Sequence, residues 1–188
     1  INLGIIPDNA DILLQQLNNS ADIADVIITS GGVSVGEADF TKSALQSSGS
    51  IEFWKIAIKP GRPLAFGHIK NTAFFGLPGN PVAVLVTFYQ FVLPALEKIL
   101  GITNKPIAPL IKARSLENIR KRAGRTEVPR GIVSQSSTGE WQVKTTGKQG
   151  SGILSSMSSA NAFIILEHER ESIQQGEWVD VQLFSGLF

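Results

Sequence analysis

The stretch "DVIITSGGVSVGEADF", residues 25–40, decides the fold expected for this chain. Its first half is an apolar, β-branched run without polar alternation, which is typical of a parallel strand buried on both faces. Gly31 and Gly32 end the strand, and a short helix carrying Asp39 is predicted to follow. Two interpretations of the turn stay open: a tight acidic turn, or a backbone cradle for an anion with a carboxylate that holds a cation.

The segments around this stretch extend an alternation of strands and helices. "INLGII" is predicted as a core strand, and the helix after it has Asp8 or Asn9 as its N-cap. Further strands are predicted at 51–58, 63–69 and 72–76. Asn80-Pro81 then opens a long apolar helix, which we expect to be central and buried, with Pro94 as a kink or the start of a second segment. The order predicts an α/β layer up to about residue 103.

The second half of the chain has a different character. "TNKPIAP" resembles a linker, and no long helix is predicted beyond it. Short strand candidates separated by turns rich in Gly, Ser and Asn predict a small β-barrel or sandwich. These candidates lie at 107–114, 126–135, 140–146, 161–167 and 178–184. We therefore expect an α/β domain over residues 1–104 and an all-β domain over residues 105–188.

Composition narrows the class of protein. The chain has 188 residues, and hydrophobic residues make up 43% of them, enough for a sizeable core. The charges of the 17 basic and 16 acidic residues nearly cancel, so the net charge does not indicate binding to nucleic acid or to a membrane surface. The long apolar helix is short for a membrane span and has polar residues inside it. The absence of cysteine excludes disulfides and thiol catalysis, and a cytoplasmic location is expected.

The beginning of the chain is unusual for a native terminus. Residue 1 is isoleucine, the only methionine is Met157, and a core strand is predicted from the first residue. Native termini usually fray and are polar. We expect the sequence to be a fragment of a longer chain that begins inside a domain.

Candidate site residues follow the strands of the predicted sheet, where open parallel sheets bind ligands. They are Asp8, the turn from Gly31 to Asp39, and "GLPGNP" before the long helix. Each can alternatively be interpreted as a purely structural capping or connecting turn. Two aspartates at neighbouring strand ends are better explained together by Mg²⁺, which takes carboxylates and substrate oxygens.

Basic residues supply a second group of candidates. Lys55 and Lys59 are four residues apart in a strand-like run, so they are predicted to share one face and to hold an anion between them. The alternative is an exposed edge strand with solvated lysines. Arg130 and Ser151 are candidate donors for an oxyanion, against the alternative of a solvated basic loop.

Four motifs together carry a resemblance to a known family. "SGGVSVGEADF", "FWKIAIKPGRP", "FFGLPGNPVAVLVTFYQ" and "TTGKQGSG" resemble the MoeA/gephyrin E-domain family of molybdopterin molybdenumtransferases, and the similarity runs over residues 1–188. The resemblance implies an α/β, MogA-like, molybdopterin-binding three-layer domain, truncated at its N-terminus. A small all-β barrel domain is implied after it.

The resemblance also implies an activity and its components. The family inserts molybdate into adenylated molybdopterin and releases AMP with help from Mg²⁺, and it works as a homodimer after a MogA-like adenylyltransferase. Catalytic roles are implied for Asp8, Asp39, Lys55 and Lys59, with both aspartates linked to the metal. Substrate-binding roles are implied for Gly31, Gly32, Ser34, Gly36, Pro78, Gly79, Asn80, Pro81, Arg130 and Ser151.

Departures from the family leave alternatives open. The family's full chain carries two further domains and a first strand–loop–helix that this sequence lacks, so the fragment is expected to be inactive alone. A gephyrin-like scaffold could use the same domains to hold a peptide. A nucleotide- or competence-related protein with a MogA-like fold is a third hypothesis, and the predicted barrel with "TTGKQGSG" argues against it.

Overall fold

The computed structural model describes residues 1–32, 49–102 and 110–184. They form two compact units, one of Ile1–Ile56 with Gly61–Asn80 and one of Ala57–Pro60 with Pro81–Phe188. The long helix and residues 57–60 therefore belong to the second unit, whereas the sequence pattern groups them with the α/β layer. The boundary expected at residues 104 and 105 lies outside the described residues and stays a prediction.

Eleven strands are described in the two units. In chain order they are β1 Val26–Ser30, β2 Gly49–Lys55, β3 Ile58–Lys59, β4 Pro63–Ile69, β5 Thr72–Leu77, β6 Leu110–Ser115, β7 Thr126–Glu127, β8 Arg130–Gln135, β9 Trp141–Thr145, β10 Ala162–Ile165 and β11 Trp178–Leu183. The first unit contains a four-stranded sheet in the order β1-β5-β4-β2. β1 and β5 are parallel, and β4 is antiparallel to both of its neighbours.

A helix covers this sheet. Helix α1, Ala10–Ala21, begins after Asn9, whose side chain accepts hydrogen bonds from the backbone N–H groups of Asp11 and Ile12 at 3.0 and 3.1 Å. Asn9 rather than Asp8 is therefore the N-cap. Leu17 of α1 is buried in one hydrophobic cluster with side chains from β1, β4 and β5. An α/β fold is confirmed for this unit.

The predicted strand "INLGII" is not observed. Residues 1–7 take part in no strand, and Ile1 and Ile5 are 94% and 99% exposed. In the described sheet, β1 has β5 as its one hydrogen-bonded neighbour. The backbone N–H and C=O groups of an apolar, β-branched run form strand hydrogen bonds only when a neighbouring strand pairs with it. The composition of the run does not show whether such a neighbour exists.

The predicted strand 51–58 is divided in two. β2 ends at Lys55, where it pairs with Pro63 after two irregularities of register, and β3 begins at Ile58. β3 pairs with β7 of the second unit instead of β4. Proline has no backbone N–H to extend a ladder, which is consistent with the end of pairing at this point. Lys55 and Lys59 therefore do not lie on one strand, and the predicted shared face is wrong.

The second unit contains a closed barrel in the strand order β10-β11-β6-β9-β8. Its core is a cluster of fully buried aliphatic side chains that includes Ala113, Val143, Ile164 and Val179. The barrel predicted from the sequence is confirmed. The expected strand 126–135 divides into β7 and β8 around Val128-Pro129, because proline cannot donate to the ladder.

The long helical segment Pro81–Ile99 also belongs to this unit. It consists of α2 Pro81–Thr87, a π-helical turn Phe88–Val92 and α3 Leu93–Ile99. Pro94 lies in the first turn of α3, as expected of a residue that starts a second segment. Buried residues are found in α2 and at Val92 but not in α3, so only part of the helix is buried as predicted.

This segment is long and apolar enough to cross a membrane by length and composition, the one such helix in the described ranges. Core helices of soluble proteins meet the same criterion. Val82 and Val86 are fully buried, and Gln90 donates a hydrogen bond to Gln182 of β11 at 2.6 Å. The helix thus packs on its own unit through part of its length, and 28% of its apolar window is buried.

Substitution Gly131→Ala tests the packing of the barrel. A Cβ at Gly131 would lie 2.9 Å from side-chain carbons of both Ile164 and Val143. Because such overpacking displaces buried side chains, we expect a loss of about 1–3 kcal/mol in the free energy of unfolding, measured by chemical denaturation. Gly152→Ala is the control, since a Cβ there meets nothing within 4 Å. Equal losses in the two variants would contradict this account of the core.

Candidate active site

The glycine turn lies where β1 and β5 end side by side. Gly31 and Gly32 have φ angles of +89° and +72°, which side chains with a Cβ rarely adopt. The N–H of Gly31 donates to the carbonyl oxygen of Leu77 at 3.1 Å, and Ser30 Oγ donates to that of Pro78 at 3.1 Å. The turn and the start of the "GLPGNP" loop are thus joined at the carboxyl edge of the sheet.

The backbones of these two loops also approach each other closely. A Cβ placed on Gly79 would lie 3.7 Å from the Cα of Gly31, so the two backbones are within van der Waals contact of a single methyl group. Polar backbone from two loops therefore meets at one place. The sequence predicted this meeting from the positions of both motifs after parallel strands.

A cavity of about 620 Å³ in the first unit brings Asp8 to the same region. Its lining includes Asp8, Gly31, Gly32, and residues of α1 and β1. Since Asn9 caps the helix, the exposed carboxylate of Asp8 is not used as the cap. The structure therefore places one predicted acidic residue and the glycine turn on a common cavity.

The predicted metal site is only partly described. Asp39, Ser34 and Gly36 lie outside the described residues, and the described ranges contain no cluster of three or more His, Asp or Glu side chains. Asp8 offers the exposed carboxylate that Mg²⁺ prefers, and this ion commonly takes one or two carboxylates together with substrate oxygens. Asp8 therefore fits Mg²⁺, while the pair with Asp39 stays a prediction.

Lys59 in the second unit is paired with a buried carboxylate. Its Nζ atom lies 3.0 Å from Oε2 of Glu127, whose side chain is 6% exposed. Arg125 Nε donates to the other oxygen, Oε1, at 2.9 Å. Lys55 is exposed at the end of β2 and belongs to the other unit. Sequence reasoning assigned no site role to Glu127 or Arg125; the available signal was that Glu127 is one of only two acidic residues in the basic stretch 112–130.

Arg130 is fully buried, with its guanidinium directed at a loop of its own unit. Nε donates to Ser156 Oγ at 2.9 Å, Nη1 to the carbonyl oxygen of Gln149 at 3.2 Å, and Nη2 to that of Gly150 at 3.1 Å. Burial lowers the pKa of Arg130, but the side chain stays charged at neutral pH because the ordinary pKa of arginine lies far above that range. In this structure Arg130 therefore holds the loop and has no exposed surface for a ligand.

Ser151 belongs to the loop that Arg130 holds. Its carbonyl oxygen accepts a hydrogen bond from the N–H of Val82 at 3.1 Å, in the first turn of the helix that Pro81 opens. Arg130 thus holds the Gly150 carbonyl, and the next residue, Ser151, accepts from the helix start within the second unit. Pro78, Gly79 and Asn80 end the first unit, and Pro81 begins the next part of the second.

Comparison with known proteins agrees with this fold. Residues 1–98 match the sequence model of a family described as "Probable molybdopterin binding domain", and residues 112–184 match that of the "MoeA C-terminal region (domain IV)". The first match spans more than half of the chain. The chain belongs to this molybdopterin-binding-domain family, and it joins that domain to a MoeA C-terminal region.

Curated relatives match the whole of this chain. A molybdopterin molybdenumtransferase of Haemophilus influenzae is 45% identical over 187 residues, which are 100% of this chain and 46% of that protein. Gephyrin of Dictyostelium discoideum is 36% identical over 216 aligned residues, covering 100% of this chain and 29% of that protein. The chain thus spans less than half the length of these relatives.

Solved structures give the same fold. A molybdenum cofactor biosynthesis protein from Pyrococcus furiosus superposes with a TM-score of 0.78 at 29% identity, covering 97% of this chain and 58% of that chain. The molybdopterin biosynthesis moeA protein from Pyrococcus horikoshii gives a TM-score of 0.75 at 28% identity, over 97% of this chain and 41% of that chain. The resemblance stated from the four sequence motifs, and the fold class it implied, are confirmed.

Substitution Arg130→Met tests the role of this guanidinium in the loop. The carbonyl groups of Gln149 and Gly150 and the Ser156 hydroxyl would lose a donor. We expect the free energy of unfolding to fall by about 2–4 kcal/mol, because each unsatisfied buried polar group costs about 1–3 kcal/mol. Amide hydrogen exchange in residues 147–152 should also become faster.

The matched control is Arg122→Met, which replaces an exposed arginine of the same unit. A change within about 0.5 kcal/mol is expected there, as for most surface positions. If Arg130→Met leaves both the unfolding free energy and the exchange rates of the loop unchanged, Arg130 does not hold the loop.

Proposed function

We propose that this chain is the C-terminal part of a molybdopterin molybdenumtransferase that inserts molybdate into adenylated molybdopterin and releases AMP. One observation carries the proposal: two glycine loops meet at the carboxyl edge of the sheet, and one of them lines a cavity together with Asp8, in the unit that matches a molybdopterin-binding family. Glycine lets backbone approach a ligand closely, and the position is the one at which open α/β sheets bind ligands.

Residues of each unit have a task in this reaction. The turn at Gly31 and Gly32 would bind a phosphate of the pterin substrate through backbone groups. Asp8, together with Asp39, would hold Mg²⁺, and the bound ion would supply positive charge for the phosphate oxygens. Lys59 would supply positive charge for the molybdate oxyanion. The loop held by Arg130 would keep Ser151 in place beside the helix start.

Further components follow from this proposal. An adenylated substrate requires an adenylyl-transferring enzyme upstream, so a MogA-like adenylyltransferase is proposed as the pathway partner. A homodimer and a cytoplasmic location are proposed for the full-length protein. The relatives named molybdopterin molybdenumtransferase, from Haemophilus influenzae and from Nostoc, support the activity.

A gephyrin-like scaffold is the second candidate, because gephyrin of Dictyostelium discoideum is 36% identical to the chain. The two functions differ in what they require of the site. A transferase needs Asp8 for turnover, whereas a scaffold that holds a peptide does not. The experiment below therefore separates them.

Substitution Asp8→Asn in the full-length protein tests the proposal. We expect kcat for molybdenum insertion to fall at least about tenfold and the Mg²⁺ concentration for half-maximal rate to rise, since an amide is a weaker Mg²⁺ ligand than a carboxylate. Thermal stability should be unchanged because Asn9, not Asp8, caps α1. The measurement is AMP release over a series of Mg²⁺ concentrations.

Asp11→Asn is the matched control, since Asp11 also lies at the start of α1 but does not line the cavity. Turnover close to wild type is expected for that variant. If the Asp8→Asn variant keeps the turnover of the wild-type protein, the proposed role of Asp8 is wrong. If the wild-type protein itself releases no AMP but binds a peptide, the scaffold is correct.

A further inference from the structure

We propose that Gln149 is a positioning residue, which fixes the barrel loop (residues 147–151) to the backbone of Arg130 and thereby sets the place of Ser151. The amide of its side chain lies beside β8, at the point where β9 no longer pairs with that strand. The role of Ser151 towards the substrate rests on the proposed function. The fixing of the loop follows from the described hydrogen bonds.

Strand pairing stops just short of Arg130. β8 and β9 pair as far as Gly131 and Thr145. The N–H of Thr146 still donates to the carbonyl oxygen of Arg130 at 3.0 Å, and the chain then turns at Gly147, whose φ angle is +85°. Because Arg130 is fully buried, its own backbone N–H needs a partner that β9 does not supply.

The side chain of Gln149 supplies that partner. Its Oε1 atom accepts a hydrogen bond from the N–H of Arg130 at 2.9 Å, and its Nε2 atom donates to the carbonyl oxygen of Arg130 at 3.2 Å. The amide thus makes both hydrogen bonds that a residue of a neighbouring antiparallel strand would make. Since the backbone N–H can only donate and the carbonyl can only accept, the amide has a single orientation at this place.

Further contacts hold the amide of Gln149 against the turn. Its Nε2 atom also donates to Thr146 Oγ1 at 3.2 Å and to the carbonyl oxygen of Gly147 at 3.3 Å. Gln149 is half-buried, whereas its neighbours Lys148 and Gly150 are exposed. The loop backbone therefore runs along the surface of the barrel, and the side chain of Gln149 reaches from it to the end of the strand.

The guanidinium of Arg130 binds the same loop, but in a different way. Its Nη1 donates to the carbonyl oxygen of Gln149 at 3.2 Å, so each of the two residues binds the backbone of the other with its side chain. The guanidinium lies at the end of a long side chain, whereas the backbone of Arg130 is fixed in β8, which also pairs with Phe163 of β10. The amide of Gln149 therefore ties the loop to the strands of the barrel.

The barrel loop in turn contacts the start of the long helix. The carbonyl oxygen of Ser151 accepts a hydrogen bond from the N–H of Val82 at 3.1 Å, and Val82 follows Pro81 in the first turn of α2. A shift of the loop would therefore move Ser151 and break the bond of the Val82 amide. In the proposed reaction, Gln149 acts on the substrate only through this placement of Ser151.

The test uses Gln149→Met in the full-length protein, because methionine has a similar length and lacks both polar atoms of the amide. The KM for adenylated molybdopterin should rise about fivefold, as expected for the loss of positioning hydrogen bonds. The kcat should stay within about twofold of wild type, because a contact of the bound ground state is weakened. Hydrogen exchange of the Val82 amide should become at least about threefold faster, since its acceptor is no longer fixed.

Two further variants complete the design. Gln149→Glu keeps the acceptor for the N–H of Arg130 and loses the Nε2 donor, so its KM should lie between those of wild type and Gln149→Met. If Gln149→Met does not fold, the same measurements on Gln149→Glu carry the test. Gln142→Met is the matched control, since Gln142 of β9 is also half-buried and its side chain makes no hydrogen bond within the described part of the chain. Its KM and its exchange at Val82 should equal those of wild type.

Three outcomes would overturn the inference. It is wrong if Gln149→Met leaves both the KM and the exchange of the Val82 amide unchanged. Faster exchange at Val82 with an unchanged KM is equally contrary to it, because the loop would then be held without serving the substrate. A large fall in kcat at constant KM would show that Gln149 acts on the reaction itself. If the wild-type protein releases no AMP, the proposed function fails, and exchange at Val82 still shows whether Gln149 fixes the loop.

Discussion

Parallel pairing of β1 with β5 is the constraint on which the first unit's site depends. Parallel strands end at the same edge of a sheet, so the loops after Ser30 and Leu77 must start side by side. The hydrogen bond from Gly31 to Leu77 joins them, and only glycine provides the positive φ angles that the turn needs. Because Gly31 and Gly32 also line the cavity that Asp8 lines, the proposed phosphate site depends on this one pairing.

In the second unit, one short segment positions both Lys59 and the loop that carries Ser151. In residues 125–130, Glu127 holds Lys59, and Arg130 holds the loop that carries Ser151. β7 and β8 are separated by Val128-Pro129, and this interruption lets neighbouring residues serve different parts of the unit. Lys59 and the loop of Ser151 lie in motifs that are far apart in the chain. Both thus depend on a segment that forms no motif of its own.

Local sequence patterns were sufficient to predict the turn at Gly31, the barrel and the helix opened by Pro81. Each of these elements depends on properties of residues that are adjacent in the chain. "INLGII" and 51–58 were mispredicted since a strand exists only where a partner pairs with it. The Lys59–Glu127 pair could not be predicted either, because the two residues are 68 positions apart and meet through the register of β3 and β7.

The buried guanidinium of Arg130 has an electrostatic consequence for its loop. Its charge is balanced by peptide dipoles, with carbonyl groups of Lys148, Gln149 and Gly150 directed towards it. In a trans peptide the N–H points opposite to the carbonyl, so the amides that follow these carbonyls point away from the cation. The described hydrogen bonds of this guanidinium go to these carbonyl oxygens and to the Ser156 hydroxyl, and arginine keeps its proton. The polarity of the loop is therefore permanent, and changes of pH across the neutral range leave it as it is.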